Sequence, residues 1–403
     1  MNNKDKIQPA VRTERVTYAV RDVVVLAKQV AATGREMLYL NIGDPNLFDF
    51  VTPAHIIDAT TKAMRDNLNG YAPSSGTPGA IAAIGRDAER NGVKNIQDIF
   101  VTTGASEAID LCMSALVNAG ENVLTPTPGY PLYTALLAKL EAQEVPYYLN
   151  EENGWQPDLD DIARKINSKT RAIVLINPNN PTGSVCARET LLGILELARR
   201  HNLVIFADEI YDKLILDGGE HISIASLDSH HPIVTFNGLS KAYIAPGFRI
   251  GWGIVSGDKA RVGDYVEAIN KLLRARLSAN HPEQYAIAPA LDGDQSHLVE
   301  MKAKLSRRRN ISVEMLNAIP GVSCVAPTGA FYAFPRLHIE QEDETFVQEL
   351  IKTTGVVTVH GSGFGQKPGT RHFRIVFLPQ EETLRKAYSL IGEFIARYAT
   401  AAV

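Results

Sequence analysis

Between about residue 95 and residue 255, short apolar runs alternate with stretches in which apolar residues recur at helical spacing. The runs lie at 99–101, 171–176, 203–207 and 232–236, and a helical pattern follows the first of them at 106–117. Strands that alternate with helices predict βαβ units and a mostly parallel sheet covered by helices on both faces. Ligands bind such sheets beyond the carboxyl ends of the strands. The residues that directly follow each run are therefore the candidate site residues.

The C-terminal part of the chain has a different pattern. Residues 320–378 contain short β-like pieces around a helical stretch at 346–351, and an amphipathic helix closes the chain. We therefore expect an α/β protein whose large domain holds a mostly parallel central sheet, with a smaller α+β domain beside it. The predicted division is an N-terminal segment that joins the small domain (1–45), the large domain (46–290) and the small domain (291–403).

Composition excludes several classes of function. The net charge of −4 over 403 residues gives no basic excess for binding nucleic acid. No apolar run approaches the roughly 20 residues that span a bilayer, and the polar N-terminus does not resemble a signal peptide. The three cysteines and ten histidines show no metal-ligand spacing. We expect a cytoplasmic protein with reduced thiols, no metal site and no membrane segment.

Two segments at strand ends differ in how strongly they predict a functional site. The seven residues from Asn177 to Gly183 hold three asparagines, two prolines and the glycine. Two prolines and a glycine within seven residues restrict the backbone strongly, which predicts an unusual loop that holds its asparagine side chains in a set direction. Gly104 to Glu107, at a strand-to-helix junction, would suit an anion at the positive helix end, but taken alone this segment favours Ser106 as a simple N-cap.

An acid and a lysine follow two further runs. Asp208 ends a strongly apolar stretch, and a buried acid is costly unless it meets a cation. That cation is either an Arg or Lys of the core or the protonated ring nitrogen of a ligand. Lys241 ends Phe236-Asn-Gly-Leu-Ser-Lys, shortly before Arg249. Most lysines are solvated surface charges, but this position favours a buried, reactive amine.

These segments resemble the class I/II aminotransferases of pyridoxal-phosphate fold type I. The shared motifs are Asn177-Pro-Asn-Asn-Pro-Thr-Gly, Asp208-Glu-Ile-Tyr, and Ser240-Lys with the following Gly-Phe-Arg-Ile-Gly. More narrowly, Tyr18-x-x-Arg21, Asn41-Ile-Gly-Asp-Pro and the segment that ends at Lys241 resemble the bacterial glutamate–pyruvate (alanine) aminotransferases.

The resemblance implies pyridoxal 5'-phosphate as the cofactor. Lys241 would hold it covalently and move the substrate proton, and Asp208 would pair with the pyridinium nitrogen. Tyr211 and Asn180 would hydrogen-bond the oxygen of the ring. The residues implied to stack on the ring or to bind the phosphate are Tyr130, Ala105, Ser106, Ser240 and Arg249.

The resemblance also implies the substrate site and a homodimer with shared active sites. Arg374 would grip the substrate α-carboxylate with its guanidinium fork, and Gly43 would allow close backbone approach. Tyr71 would reach the phosphate in the neighbouring subunit. Tyr18 and Arg21 would enter the substrate site, where Arg21 could meet the second carboxylate of glutamate, or they belong to a surface segment.

The expected activity is transamination between alanine and 2-oxoglutarate, which gives pyruvate and glutamate. Specificity for valine, aspartate or aromatic amino acids stays open, as does a lyase or synthase of the same fold, since one electron sink serves all these reactions. A third candidate is a ligand-sensing domain of a transcription regulator. That function needs a DNA-binding module, and we expect none because the family-like region leaves no residues for it at either end.

Gly361-Ser-Gly-Phe-Gly looks superficially like a dinucleotide-binding loop. The residues after it are Gln-Lys-Pro-Gly, which do not predict the helix that such a loop requires. We therefore expect a loop beside the substrate and no nicotinamide cofactor.

Overall fold

An eight-stranded sheet organises the molecule in the computed structural model, which describes residues 7–16 and 19–401, with the side chains of 19–22 and 398–401 left out. The helices are α1 (Ala19–Ala31), α2 (Ala54–Arg65), α3 (Pro78–Arg90), α4 (Ala105–Leu116), α5 (Leu132–Lys139), α6 (Leu159–Lys165), α7 (Arg188–His201), α8 (Lys259–Ala275), α9 (Ile287–Asp292), α10 (Ser296–Asn317), α11 (Asp343–Thr354) and α12 (Glu381–Ala401). The strands are β1 (Leu38–Tyr39), β2 (Ile96–Thr103), β3 (Asn122–Thr127), β4 (Gln143–Asn150), β5 (Gln156–Pro157), β6 (Thr170–Ile176), β7 (Val204–Asp208), β8 (Ile233–Gly238), β9 (Ile250–Ser256), β10 (Val322–Ser323), β11 (Tyr332–Ala333), β12 (Arg336–Leu337), β13 (Val356–Val357), β14 (Val359–His360) and β15 (Phe373–Val376).

The large sheet has the strand order β2-β9-β8-β7-β6-β3-β4-β5. The five strands from β8 to β4 run parallel, whereas β9 is antiparallel to both of its neighbours, β8 and β2. The mostly parallel sheet that the alternating pattern predicts is therefore confirmed. The pattern did not give the strand order, because each run specifies a strand but not its partner.

Helices cover both faces of this sheet. On β6, Ile173 and Leu175 pack into one hydrophobic cluster, whereas Ala172 and Val174 pack into another. Alternate residues of a strand point to opposite faces, so β6 is buried from both sides. Helix α7 supplies the first cluster, and α4 and α8 supply the second. This explains why the run at 171–176 is apolar throughout rather than alternating.

The strand ends that carry the candidate residues meet at one edge of the sheet. Strands β6, β7 and β8 end there because they are parallel. Strand β2 ends at the same edge and β9 starts there, since β9 is antiparallel to both β2 and β8. Strands β3 and β4 are parallel to β6, so this edge receives the loops after six strands and the segment before β9.

The N-terminal segment pairs with the C-terminal region. Strand β1 is parallel to β13, with Leu38 opposite Val356. The next residue, Leu40, donates its backbone N–H to Val357 and accepts one from Val376 of β15. This pairing places the residues after Leu40 beside the small antiparallel sheet β11-β15-β14. The domain boundaries themselves stay a prediction, and position 290 falls within α9.

In the part of the chain that the structure describes, no helix combines the length and apolar character needed to cross a bilayer.

Candidate active site

A cavity of about 390 Å³ lies at the edge where the strands of the large sheet end. Its volume is in the range usual for sites that bind small ligands and cofactors. It brings together most of the candidate residues, which are Gly43, Ala105, Ser106, Tyr130, Asn180, Asp208, Tyr211, Ser240, Lys241, Arg249 and Arg374.

One end of the cavity is suited to an anion. Helix α4 begins at Ala105 and points its N-terminus, with Ala105 and Ser106, into the cavity, beside Ser240 and Arg249. The partial positive charge of the helix end and the guanidinium together favour a phosphate-like group. The close approach requires glycine at 104, because a Cβ there would lie 2.4 Å from Arg249 Nη2.

The alternative of Ser106 as a simple N-cap is wrong. The cap residue is Gly104, in a positive-φ conformation (φ 80°), and no side chain caps the helix. Ser106 is the second residue of the helix and lines the cavity. Glycine takes the cap position because its backbone must adopt a conformation that a side chain disfavours.

Asp208 ends β7 and is buried, but its partner differs from those considered above. Tyr133 donates its hydroxyl hydrogen to Asp208 Oδ2 at 3.1 Å, and no Lys or Arg among the described side chains lies within ion-pair distance of Asp208. Burial raises the pKa of Asp208 to about 6, although Tyr133, the backbone N–H of Ile210 and the charge of Lys241 oppose this shift. The carboxyl therefore lacks a full counter-charge, and a cationic group in the cavity would supply one.

Tyr211 and Tyr332 form a buried phenol pair above the strand ends. Their hydroxyl oxygens are 3.0 Å apart, and their rings meet edge to face at 5.7 Å. Burial, followed by the neighbouring Tyr332, raises the pKa of Tyr211 well above its ordinary value. Tyr211 therefore stays protonated at neutral pH and can donate a hydrogen bond to an anionic oxygen in the cavity.

Lys241 is held by the N-terminal segment. Its Nζ donates to the backbone oxygen of Gly43 at 2.8 Å, across 198 residues of sequence. Glycine is required at 43, because a Cβ there would lie 2.1 Å from the hydroxyl oxygen of Tyr332. The amine is half-buried beside the rings of Tyr211 and Phe331, at 5.9 Å and 5.6 Å from their centres.

Arg374 lies on β15, is buried at 3% exposure and lines the cavity. Its Nη2 donates to the backbone oxygen of Asn41 at 2.5 Å, and its Nη1 donates to Asn180 Oδ1 at 3.2 Å. The guanidinium stacks on the rings of Tyr332 (4.7 Å) and Phe364 (4.6 Å). These contacts fix a planar cation with its orientation set in advance.

The asparagine-rich loop divides its side chains between structure and site. Asn177 accepts the backbone N–H of Cys186, and Asn179 accepts both the backbone N–H and the hydroxyl of Thr182. These two asparagines hold the turn. Asn180 lines the cavity and contacts Arg374.

Three candidate residues do not join the cavity in the described part of the chain. Tyr71 is 82% exposed, between α2 and α3. Tyr18 and the side chain of Arg21 lie outside the described residues. Their roles stay predictions.

Sequence reasoning missed three aromatic residues. Tyr133 donates a hydrogen bond to Asp208, and Tyr332 shares one with Tyr211. Phe364 stacks on the guanidinium of Arg374. Tyr133 had a weak signal in its position three residues after Tyr130, in the same segment after a strand. Tyr332 and Phe364 reach the site only through the packing of the small sheet.

Comparisons with known proteins agree with this architecture. The family profile described as "Aminotransferase class I and II" matches residues 35–391. The chain is 40% identical over 401 residues to the glutamate-pyruvate aminotransferase AlaA of Escherichia coli (strain K12), which covers 97% of this chain and 98% of the relative. It is 40% identical over 397 residues to an alanine aminotransferase of Mycobacterium tuberculosis (strain H37Rv), covering 96% of this chain and 92% of the relative. Its fold is similar to the solved structure of an alanine aminotransferase from Pyrococcus furiosus, with a TM-score of 0.93, 40% identity, and coverage of 97% and 100% of the two chains.

Proposed function

Because the chain belongs to the class I and II aminotransferases, we propose that it binds pyridoxal 5'-phosphate and transfers amino groups between alanine and 2-oxoglutarate. The observation that carries the proposal is the convergence of three unlike groups in one cavity. A lysine amine, a buried carboxyl without a full counter-charge and an anion-binding helix end all line it. Each of the three matches a different part of the same cofactor.

The residues present fit the cofactor. The N-terminus of α4 with Ser240 and Arg249 suits its phosphate. Asp208, whose pKa burial raises, suits a cationic ring nitrogen. The hydroxyl of Tyr211 and the amide of Asn180 suit the ring oxygen, and the ring of Tyr130, which lines the cavity, suits stacking. When bound, pyridoxal phosphate supplies an electron sink that stabilises negative charge at the substrate α-carbon.

Lys241 has the position required for moving a proton in this cavity. Its Nζ is anchored on Gly43 O by a single neutral acceptor, so it can leave that contact without breaking an ion pair. We assign to Nζ the transfer of the proton on the α-carbon of the substrate. General acid–base catalysis of this kind contributes roughly 10²- to 10⁴-fold to a rate.

Arg374 and Asn180 would orient the substrate. The guanidinium of Arg374 offers a fork that matches a carboxylate, and its stacking on Tyr332 and Phe364 limits rotation. A substrate held there by its α-carboxylate would lie in the cavity that Lys241 also lines. Orientation of this kind converts binding energy into rate.

The names of the relatives support alanine and 2-oxoglutarate as the substrates. Alanine-type relatives are 40% identical over nearly the whole chain, whereas an aspartate aminotransferase of Bacillus subtilis is 31% identical over 392 residues. The test is a product assay on the purified protein with alanine and 2-oxoglutarate, with valine, aspartate and tyrosine as alternative donors. We expect pyruvate and glutamate in equal amounts. Formation of neither product from alanine, or a strong preference for another donor, would overturn the alanine assignment.

A second experiment tests Arg21, which we propose as the group that meets the second carboxylate of glutamate. A fixed, dry cation would be left unpaired by the methyl group of alanine, so a cation near solvent is better suited to both substrates. We expect Arg21→Ala to raise KM for glutamate and 2-oxoglutarate roughly tenfold, with little change for alanine and pyruvate. Arg12→Ala, which removes an exposed N-terminal arginine beside Glu141, is the control. Equal losses for both substrate pairs in Arg21→Ala would refute the assignment.

We further propose that the enzyme works in the cytoplasm as a homodimer in which Tyr71 reaches the neighbouring active site. At 82% exposure, the Tyr71 side chain is accessible for a contact outside the chain. Tyr71→Phe should weaken cofactor binding by roughly ten- to 150-fold if the hydroxyl contacts the phosphate, because a hydrogen bond to a charged group contributes about 1.5–3 kcal/mol. Unchanged cofactor affinity, or a monomer in sedimentation, would contradict this proposal.

A further inference from the structure

His372 lies two residues before Arg374 and is buried at 2% exposure among polar partners. Its Nδ1 is 2.9 Å from Gln366 Oε1, and its Nε2 is 3.3 Å from Glu151 Oε2. Its ring stacks on Phe334, with ring centres 4.7 Å apart and planes 5° apart, and meets Trp155 edge to face. Aromatic rings on its face favour a cationic imidazole over a neutral one.

The partners of each nitrogen fix its protonation. Asp343 accepts hydrogen bonds from the backbone N–H and the hydroxyl of Ser362, so its side chain acts as an acceptor. The Gln366 side-chain atom that lies 2.7 Å from Asp343 must therefore be the amide nitrogen, which can donate. The amide oxygen of Gln366 must then face His372, and Nδ1 must carry a hydrogen.

The same reasoning applies to Nε2. Glu151 Oε2 also receives Arg336, at 3.4 Å, which favours the ionised carboxylate. An unprotonated Nε2 would direct its lone pair at that carboxylate. Among the described groups packed on His372, the charges are Glu151 and Arg336, with Asp343 behind Gln366. A second imidazole, that of the half-buried His360, meets Ser362 Oγ of the neighbouring turn at 2.7 Å. The arrangement around His372 is satisfied only when both of its ring nitrogens donate.

This network continues to the substrate-binding arginine through residues 361–366, which we call the Phe364 turn. Gln366 and Ser362 of the turn are both fixed on Asp343. Phe364, between them, stacks on the guanidinium of Arg374, and its backbone oxygen accepts the N–H of Gly129, next to Tyr130. The Phe364 turn is thus held by His372 and Asp343, and it carries the phenyl ring that orients Arg374.

We propose that His372 is a positioning residue that acts as an imidazolium, holding the Phe364 turn against Arg374 so that affinity for substrate carboxylates depends on its proton. The proposal rests on the role of Arg374 proposed above. When His372 loses this proton, the lone pair of one ring nitrogen faces an oxygen of Gln366 or Glu151. We expect this repulsion to loosen the Phe364 turn and to let the guanidinium of Arg374 rotate. The effect falls on substrate binding, because His372 does not touch the reacting atoms.

The kinetic test compares His372→Gln with His338→Gln, which removes an exposed histidine bonded to Ser323. KM and kcat are measured for pyruvate and 2-oxoglutarate from pH 6 to pH 9, because oxo acids have no titrating amine. We expect KM of the wild type and of His338→Gln to rise with pH by roughly two- to tenfold, the scale of one hydrogen bond. In His372→Gln, KM should already be raised at pH 6 and stay flat, with kcat within twofold.

A second variant guards against a fold defect at His372. Gln366→Ala leaves the histidine in place but cuts its link to the turn, and it should also give a raised KM that no longer depends on pH. A pH dependence of KM in either variant that equals the wild type would overturn the proposal, as would an equal fall in kcat.

The protonation itself is tested without reference to activity. In protein labelled with ¹⁵N-histidine, with His372→Gln for assignment, we expect both ring nitrogens of His372 to carry hydrogen at pH 7. One bare nitrogen would overturn the proposal. A wild-type protein that transaminates no donor would refute the proposed function instead, and the NMR result would still decide the state of His372.

Discussion

The two walls of the cavity are built in different ways. The wall of strand ends comes from consecutive βα units, and its candidate residues lie at or within a few residues of a strand end, as Asp208 ends β7. The other wall, with Gly43, Tyr332 and Arg374, is assembled from distant segments, so that Arg374 bonds Asn41 across 333 residues. Local sequence therefore specifies the wall suited to the cofactor, whereas the wall suited to the substrate depends on how the small sheet packs. Substitutions in the first wall should abolish chemistry, and those in the second should alter binding.

The largest effect is expected at Lys241. Lys241→Ala should lower transaminase activity by at least about 10⁴-fold, because it removes both the nucleophile and the proton-transfer group. Lys241→Arg, which keeps the charge, should be equally inactive. In the wild type, borohydride reduction should attach the cofactor to the peptide that carries Lys241, as mass spectrometry can check. Label on another lysine would place the chemistry elsewhere.

Asp208→Asn should lower activity roughly a hundredfold or more, because it removes the charge that would hold a cationic ring nitrogen in a buried site. The matched control is Glu209→Gln, since Glu209 is the adjacent buried acid but does not line the cavity. Comparable activity in the two variants would mean that Asp208 is only an acid of the core.

The same variant has a testable effect on stability in the cofactor-free protein. The pKa of Asp208 is raised to about 6 in the folded state, so folding favours the neutral form, and stability is lost as the pH rises from about 4 through 6. Asp208→Asn should therefore exceed the wild type in stability by an amount that grows to about 3 kcal/mol at pH 7. Thermal unfolding at pH 4 and pH 7 measures this difference. Adding pyridoxal phosphate should reverse the order.

Arg374→Lys tests the substrate wall. Lysine keeps the charge but loses the planar fork and its stacking, so kcat/KM should fall roughly 30-fold or more for all four substrates, mainly through KM. Arg371→Lys is the control, because Arg371 pairs with Glu342 away from the cavity. A loss confined to one pair of substrates would show that Arg374 does not bind the shared α-carboxylate.

The smallest effect is expected for Tyr332→Phe, which keeps the ring on Arg374 but removes the hydroxyl that meets Tyr211. A hydrogen bond of this kind contributes about 0.5–1.5 kcal/mol, so activity should fall two- to tenfold, and the absorbance of the bound cofactor should shift. Tyr388→Phe, which removes a buried hydroxyl bonded to Ser312, is the control for general destabilisation. An unchanged absorbance spectrum in Tyr332→Phe would show that the hydrogen bond between Tyr211 and Tyr332 does not influence the cofactor.

The contrast between the walls also explains what the sequence could predict. The mostly parallel sheet followed from the alternation of apolar runs, and Asn180, Asp208 and Lys241 followed from their places after those runs. Arg374 was identified only by resemblance, since nothing in its local spacing distinguishes it from Arg371. Tyr332 could not be found, because its hydroxyl partner Tyr211 lies 121 residues away, in the turn after β7 of the large sheet. Ser106 was ambiguous, because a cap and an anion site use the same residue types until the backbone angle at Gly104 is known.

The close approach of Gly43 to Tyr332 has a consequence for how the specificity of this enzyme could change over evolution or in the laboratory. Any side chain at 43 would overlap the phenol, since its Cβ would lie 2.1 Å from the hydroxyl oxygen and 2.9 Å from Cζ. Replacing Tyr332 by phenylalanine leaves the second overlap in place, so a smaller residue at 332 must come first. The two positions are therefore epistatic: a library that varies 43 alone would return glycine, whereas one that first shortens 332 opens routes to reshaped substrate pockets that single substitutions cannot reach.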